Sequence, residues 1–203
     1  MLLRINPDNI DDRLIMQVIH CLQRGGIIIY PTDTVYTLGC DLTHRSAYEK
    51  LCKLKELKPN KANFSIVCYD LSHIADYTLN VGNACFKLMK RSLPGPYTFI
   101  LNANNTISKI YGYNKKTIGI RVPNNTICRA IVDALGAPIL SASIKNEDSV
   151  LEYITSPEEI YEIYEEMVDI VIDGGTGGNI ASTIIDYTGA EPTLIREGKG
   201  MFV

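Results

Sequence analysis

Short runs of β-branched residues alternate along this chain with segments of helical periodicity. Residues 10–24 carry apolar side chains at the spacing of one helix face, and Gly25 and Gly26 end the pattern. The next four residues, 27–30 (IIIY), are closed by Pro31 and have the length and composition of a strand buried on both faces. This alternation predicts an α/β fold.

The rest of the chain continues this pattern. Helical spacing predicts further helices at residues 45–57, 71–77, 82–91, 125–135 and 157–166. Runs rich in β-branched residues predict strands at 35–40, 64–68, 97–102, 117–122, 138–143, 169–173, 182–187 and 193–197. With 203 residues, no internal repeat and no long linker, we expect a single domain over residues 1–203, in which helices flank a twisted sheet of parallel and antiparallel pairs.

The apolar runs and the cysteines indicate the cellular compartment of the protein. Runs such as residues 27–30 are far shorter than the roughly 20 residues of a membrane span, and the N-terminus lacks the apolar core of a signal peptide. The six cysteines form no CxxC pair and the three histidines are isolated from one another, so we expect free thiols and no metal site in the protein. We therefore expect a cytoplasmic protein that does not contact a membrane.

The net charge of -3 hides a division of the chain into a basic and an acidic part. Residues 1–146 carry 18 Lys and Arg against 10 Asp and Glu, a balance of +8, whereas residues 147–203 carry 2 against 13, a balance of -11. The basic part suits an anionic ligand such as a nucleotide phosphate or an RNA backbone. The acidic part is explained by the solvated face of one helix near residues 158–166.

Polar residues gather at the ends of several predicted strands. These clusters are residues 31–36 (PTDTVY), 117–123 (TIGIRVP), 141–143 (SAS) and 182–183 (ST). Ligands of open α/β sheets bind at strand ends, where backbone amides are free, so the clusters are candidates for one pocket. For residues 31–34, an ordinary turn capped by hydroxyl groups is the alternative.

Five lysines, at positions 50, 53, 55, 58 and 61, occupy the helix at 45–57 and the loop that follows it. Solvation of a helix face and capture of a phosphate or RNA backbone explain them equally well. No phosphate-binding P-loop and no nucleophile elbow is present. The glycine-rich run at 174–178 follows a strand without a helix after it, and is either a lid or a plain connection.

Six blocks of sequence follow one another in a characteristic order. They are residues 25–39 (GGIIIYPTDTVYTLG), 94–101 (PGPYTFIL), 117–123 (TIGIRVP), 141–143 (SAS), 182–186 (STIID) and 195–198 (IREG). Together they resemble the Sua5/YciO/YrdC family over nearly the whole chain. The resemblance implies a YrdC-like fold around a deep basic cavity. It also implies the synthesis of L-threonylcarbamoyladenylate from L-threonine, bicarbonate and ATP, for the N6-threonylcarbamoyladenosine of tRNA.

The resemblance also implies roles for nine residues. Lys55 and Arg121 would face the anionic groups as catalytic residues. The substrate-binding residues would be Thr34, in contact with threonine, together with Thr98 and Ser182. The nucleotide-binding residues would be Lys58, Ser141, Ser143 and Arg196. ATP would be a substrate, and Mg²⁺ would be carried by the nucleotide rather than by a metal site of the protein.

Three positions depart from the synthase pattern and resemble the YciO branch. Leu57 replaces the arginine of the K-x-R-P motif, Ser143 replaces the asparagine of S-x-N, and Thr37 replaces a glycine of the first block. A guanidinium is a planar two-pronged phosphate clamp, which Lys58 replaces only as a point charge.

Three hypotheses about function therefore stay open. One is an enzyme of threonylcarbamoyl chemistry that acts on ATP or on the modified tRNA. Another is a module that binds double-stranded or structured RNA without making the intermediate. The third is a carbamoyl- or adenylyl-transfer enzyme with a different small substrate.

Overall fold

The computed structural model describes residues 1–111, 113–144 and 153–201, which form ten strands and six α-helices. The strands are β1 (Leu2–Arg4), β2 (Ile28–Tyr30), β3 (Thr37–Asp41), β4 (Ser65–Val67), β5 (Tyr97–Asn102), β6 (Thr117–Arg121), β7 (Ile139–Ser143), β8 (Ile170–Asp173), β9 (Thr183–Asp186) and β10 (Thr193–Arg196). The helices are α1 (Asp12–Gln23), α2 (Arg45–Leu54), α3 (Asn83–Ser92), α4 (Asn105–Tyr111), α5 (Thr126–Leu135) and α6 (Pro157–Tyr164). Short 3₁₀ turns lie at Pro59–Lys61 and Ile74–Asp76.

All ten strands belong to one sheet, in the order β1-β8-β2-β3-β7-β4-β6-β5-β9-β10. The pairs β1–β8, β2–β8, β4–β6 and β5–β9 run parallel, and the other neighbours run antiparallel. The structure therefore confirms the predicted α/β fold with a mixed sheet and flanking helices.

Strand β2 shows why its sequence lacks polar alternation. Ile28 and Tyr30 pack in one core with α1 and α5, while Ile27 and Ile29 pack in a second core with α2 and α6. All four residues are buried. A strand covered on both faces has no solvent side, so each of its positions is apolar.

Helices α1 and α5 begin and end at the residues that signal a helix boundary. The side chain of Asp11 accepts a hydrogen bond from the Arg13 amide, and that of Asn125 accepts one from the Cys128 amide. Gly25 (φ 76°) and Gly136 (φ 68°) end the two helices in the left-handed conformation that favours glycine. These caps explain why both helices could be predicted from sequence.

Three elements differ from the prediction. The helix expected at residues 71–77 is only the 3₁₀ turn Ile74–Asp76, because the Thr78 hydroxyl bonds the Ile74 carbonyl and the backbone then bridges to Ala103. Strand β1 and helix α4 were not predicted. Strand β1 is defined by its pairing with the distant β8, and α4 has only seven residues, about two turns.

Within the described ranges, no helix combines the length and the apolar character needed to cross a bilayer. The six cysteines are free thiols, and all but the half-buried Cys21 are buried. Burial raises the pKa of the Cys68 and Cys128 thiols to about 12.

Candidate functional site

A cavity of about 380 Å³ opens over the central strands of the sheet. Its volume lies within the range of small-molecule pockets. The residues that line it are Val35, Thr37, Lys55, Leu57, Lys61, Asn63, Phe64, Ser65, Thr98, Arg121, Ser141, Ala142, Ser143, Tyr153, Ala181, Ser182, Ile184 and Arg196.

The strand register builds the hydroxyl floor of this cavity. Ser141 of β7 stands opposite Ser65 of β4, and Ser143 stands opposite Thr37 of β3. Ser141 and Ser143 are two residues apart on β7 and therefore share one face of the sheet. Gly119 of β6 stands beside Ser65, and a Cβ there would lie 2.4 Å from the Ser65 Oγ. The glycine thus leaves space for that hydroxyl.

Arg121, at the end of β6, is a buried cation with an incomplete set of partners. Its Nη2 donates to Thr34 Oγ1 at 3.0 Å and to Asp33 Oδ1 at 3.3 Å. Its Nε is buried and has no acceptor among the residues that the structure describes. A buried donor without an acceptor costs about 1–3 kcal/mol.

Lys55 joins the end of α2 to the end of β7. The side chain is only 6% exposed, and its ammonium donates to the backbone carbonyls of Ser143 at 2.7 Å and Ile144 at 3.3 Å. These bonds fix a positive charge in the cavity wall. The same bonds give Lys55 a structural part in the site, because they hold the strand end that carries Ser143.

The far wall of the cavity comes from β5, the start of β9 and the end of β10. The hydroxyl groups of Thr98 and Ser182 lie 2.8 Å apart in one hydrogen bond. Arg196 donates to the Ser182 carbonyl from Nε at 3.2 Å and from Nη2 at 2.9 Å. One guanidinium thus holds the backbone that presents the hydroxyl pair.

The charged groups of the described lining are cations. Lys55, Lys61, Arg121 and Arg196 all line the cavity, and no carboxylate stands beside them among the lining residues that the structure describes. Asp33 pairs with Arg121 and offsets part of that charge, but both side chains of this pair are less than a tenth exposed. Such a lining favours an anionic ligand.

The cavity brings together seven of the nine residues to which the resemblance gives a role. These are Lys55, Thr98, Arg121, Ser141, Ser143, Ser182 and Arg196. Thr34 is fully buried behind the lining, where its hydroxyl accepts the bond from Arg121. The functional roles of these residues remain predictions.

Lys58 is placed differently from the expectation, since it is exposed and is not among the lining residues. It precedes the 3₁₀ turn in extended backbone, and the turn brings Lys61 to the cavity instead. Sequence reasoning also missed Asn63, Ser65 and Tyr153. Ser65 and Asn63 are polar residues around the start of β4, which is a signal that a search of both strand ends would have found.

The glycine-rich run at 174–178 is a packed connection. Tyr36 Oη donates to the Gly175 carbonyl at 2.7 Å and accepts from the Gly174 amide at 3.1 Å. A Cβ on Gly178 would lie only 2.0 Å from the Thr34 carbonyl oxygen, so glycine is required for this close approach. Of the two alternatives, these contacts favour the plain connection over the lid.

The described residues include no group of three or more His, Cys, Asp or Glu side chains that could hold a metal ion. Mg²⁺ prefers carboxylate and phosphate oxygens, and the described lining offers hydroxyl groups and cations instead. The residues present do not fit a protein-held Mg²⁺. That the ion arrives with a nucleotide stays a prediction.

Comparison with known proteins assigns the family. The family model Sua5_yciO_yrdC, described as "Telomere recombination", matches residues 20–198. The chain belongs to the Sua5/YciO/YrdC family. Within this family, YciO of Escherichia coli strain K12 is 42% identical over 198 residues, which are 97% of this chain and 94% of YciO. The crystal structure of E. coli YciO matches with a TM-score of 0.89 at 40% identity and covers 99% of this chain and 97% of that chain.

A more distant member of the family shares the fold. The crystal structure of P. abyssi Sua5 complexed with L-threonine matches with a TM-score of 0.87 at 23% identity. The match covers 98% of this chain and 57% of that chain. Together with YciO, it confirms the expected YrdC-like fold.

Proposed function

We propose that the cavity binds a nucleotide together with L-threonine and acts in L-threonylcarbamoyladenylate chemistry. The observation that supports this most is the set of four cations, Lys55, Lys61, Arg121 and Arg196, that line a cavity of small-molecule size. A nucleotide triphosphate supplies the negative charge that such a lining favours. Family membership supports L-threonine as a ligand, since the structure of P. abyssi Sua5 is complexed with L-threonine.

L-threonine and the phosphates of ATP contact different residues of the cavity. The threonine carboxylate pairs with the guanidinium of Arg121, and the threonine hydroxyl meets the pair formed by Thr98 and Ser182. The phosphates face Lys55, Lys61 and Arg196. The threonine amine forms a C–N bond to the carbon of bicarbonate and water leaves, which gives a carbamate. A carbamate oxygen then attacks the α-phosphorus of ATP, and the bond to pyrophosphate breaks. The protein contributes orientation and positive potential rather than a covalent nucleophile.

Leu57 distinguishes this cavity from that of the synthase pattern. The side chain lines the cavity and is 40% exposed, so an apolar group stands where the motif has a guanidinium. Lys61 supplies a charge on the same wall, but as a point charge without the two-pronged geometry of arginine. We therefore propose slower turnover than a synthase with the complete motif would show.

The test is ligand stabilisation followed by turnover. ATP and L-threonine together should raise the melting temperature more than ATP alone, because ligands that bind the native state stabilise it by mass action. L-valine is the matched control, since it has the shape of threonine but lacks the hydroxyl. Pyrophosphate release should depend on L-threonine and should increase in the double variant Leu57→Arg, Ser143→Asn. No shift with ATP and threonine would refute the proposal.

A second candidate is binding of double-stranded or structured RNA without synthesis. It is favoured by three exposed lysines close together in sequence: Lys53 on α2, Lys58 in the loop after it and Lys61 on the 3₁₀ turn. Phosphate contacts of this kind weaken steeply with salt. A melting shift with duplex RNA alone, lost at high salt, would favour this candidate over the synthase.

A further inference from the structure

One wall of the cavity is formed by a short segment that belongs to no strand and no α-helix. Segment 59–64 is the second part of the connection from α2 to β4 and contains the 3₁₀ turn Pro59–Lys61. It supplies Lys61, Asn63 and Phe64 to the cavity. A wall of this kind is ordered only if other elements hold it.

Lys115 holds this segment from the opposite side. Its side chain is 8% exposed, and its Nζ donates to the Ala62 carbonyl at 2.7 Å and to Asn63 Oδ1 at 2.6 Å. The Lys115 backbone is itself fixed, because its amide donates to Ser108 Oγ of α4 at 3.2 Å. The ammonium therefore joins α4 and the start of β6 to the cavity wall.

Burying the Lys115 ammonium costs desolvation free energy. Burial lowers the pKa of Lys115, and no carboxylate pairs with its Nζ among the described residues. An apolar side chain would fill the same space without the cost of desolvating an ammonium. An apolar side chain could not donate hydrogen bonds to the Ala62 carbonyl and to Asn63 Oδ1.

We propose that Lys115 is a positioning residue, whose buried ammonium fixes segment 59–64 so that Lys61 and Asn63 are in place before an anionic ligand enters the cavity. The inference rests on the proposed anion binding, but the clamp itself exists in the free protein. Tyr48 supports the same segment through its hydroxyl, which donates to the Pro59 carbonyl. Lys115 differs from Tyr48 because it binds the lining residue Asn63 and also Ala62, the residue between Asn63 and the lining residue Lys61.

The experiment compares Lys115→Met with Lys116→Met, which removes an exposed lysine at the next position. Hydrogen exchange of the free protein should accelerate at least about tenfold at the amides of Lys61 and Ala62 in Lys115→Met, with no change in α5. ATP should bind roughly fivefold to tenfold more weakly, because two side chains must then be ordered as the ligand binds. Lys116→Met should match the native protein in both measurements.

A second variant, at the surface, shows whether faster exchange reflects the local contact or a general loss of folding. Asn63 is exposed, so Asn63→Ala removes one acceptor of the ammonium without disturbing the core, and it should accelerate exchange in the same segment by a smaller factor. Unchanged exchange at residues 61–62 in Lys115→Met would overturn the clamp. If the native protein does not bind ATP while the exchange effect is present, the proposed function fails and the clamp stands. If ATP binding is equal in native and Lys115→Met while exchange differs, the positioning role is refuted.

Discussion

Lys58 and Lys61 are three residues apart, yet only Lys61 lines the cavity. Both are exposed cations, but the intervening 3₁₀ turn places only Lys61 in the cavity wall. Removing either one changes the net charge of the protein by the same amount. The pair therefore separates the effect of position from the effect of overall charge.

We expect Lys61→Ala to weaken ATP binding by about 1 kcal/mol, roughly fivefold, as is typical for one solvent-screened contact between a cation and a phosphate. Lys58→Ala should leave the affinity within error. Titration calorimetry at low and at moderate salt checks both. Equal losses in the two variants would mean that the general field of the protein, and not a contact of Lys61, attracts the nucleotide.

At the scale of elements, the end of α2 determines where the cavity cations lie. The Leu57 amide donates to the Cys52 carbonyl at 2.9 Å and the Glu56 amide donates to the Lys53 carbonyl at 3.0 Å. This is a Schellman motif, which requires a left-handed residue, and Glu56 adopts φ 53° there. The motif turns the chain so that Lys55 is buried in the cavity wall and Leu57 lines its rim.

A side chain in the left-handed conformation costs about 1 kcal/mol relative to glycine. We therefore expect Glu56→Gly to raise the free energy of unfolding by about that amount, measured by urea denaturation. Gly136→Ala is the reverse control, because Gly136 ends α5 at φ 68° and a Cβ there would meet no atom within 4 Å. It should lower the free energy of unfolding by a similar amount. Two changes of the same sign would contradict this account.

The elements also show which part of the fold the sequence could predict. Helices with caps at both ends, such as α1 and α5, carry their signals within a few residues. Strand β1 has three residues and is defined by its partner β8, which lies about 170 residues away. The order of strands is likewise a matter of tertiary pairing, which no local period encodes.

The same limit applies to the candidate site. The strand-end clusters predicted that polar residues would meet, because strand ends share an edge of the sheet. The pairing of Arg121 with Asp33 across 88 positions and the clamp from Lys115 to Asn63 across 52 were not predictable. Both depend on the full packing of the molecule. Lys61 was visible within the lysine cluster, but only the 3₁₀ turn distinguishes it from Lys58.

At the scale of the whole molecule, the charge division and the cavity agree. Three of the four described lining cations, Lys55, Lys61 and Arg121, belong to the basic part, and Arg196 comes from the acidic part. The acidic residues Glu158, Glu159 and Glu162 of α6 are exposed. None of these three lines the cavity. The exposed glutamates of α6 therefore form a solvated face, in line with the sequence interpretation, and they do not offset the charge of the cavity lining.

The thiols buried on both sides of the sheet make the free energy of unfolding depend on pH in the alkaline range. Cys128 lies in the core with α1 and α5, and Cys68 lies in the second core. Burial raises the pKa of both to about 12, whereas a thiol in the unfolded chain ionises near 9. Between these values the folded protein keeps the proton that the unfolded chain loses. The free energy of unfolding must therefore fall as pH rises above 9.

We expect Cys128→Ala to flatten this fall by up to about 1.4 kcal/mol per pH unit, the effect of one proton. Urea denaturation between pH 8 and 10.5, with reductant present, measures the slope. Val132→Ala is the control, because Val132 is buried in the same core and does not titrate, so it should lower stability equally at every pH. Lys115, whose pKa burial lowers, acts in the opposite direction but is common to both variants. Equal slopes in native, Cys128→Ala and Val132→Ala proteins would show that Cys128 ionises in the folded state as readily as in the unfolded chain.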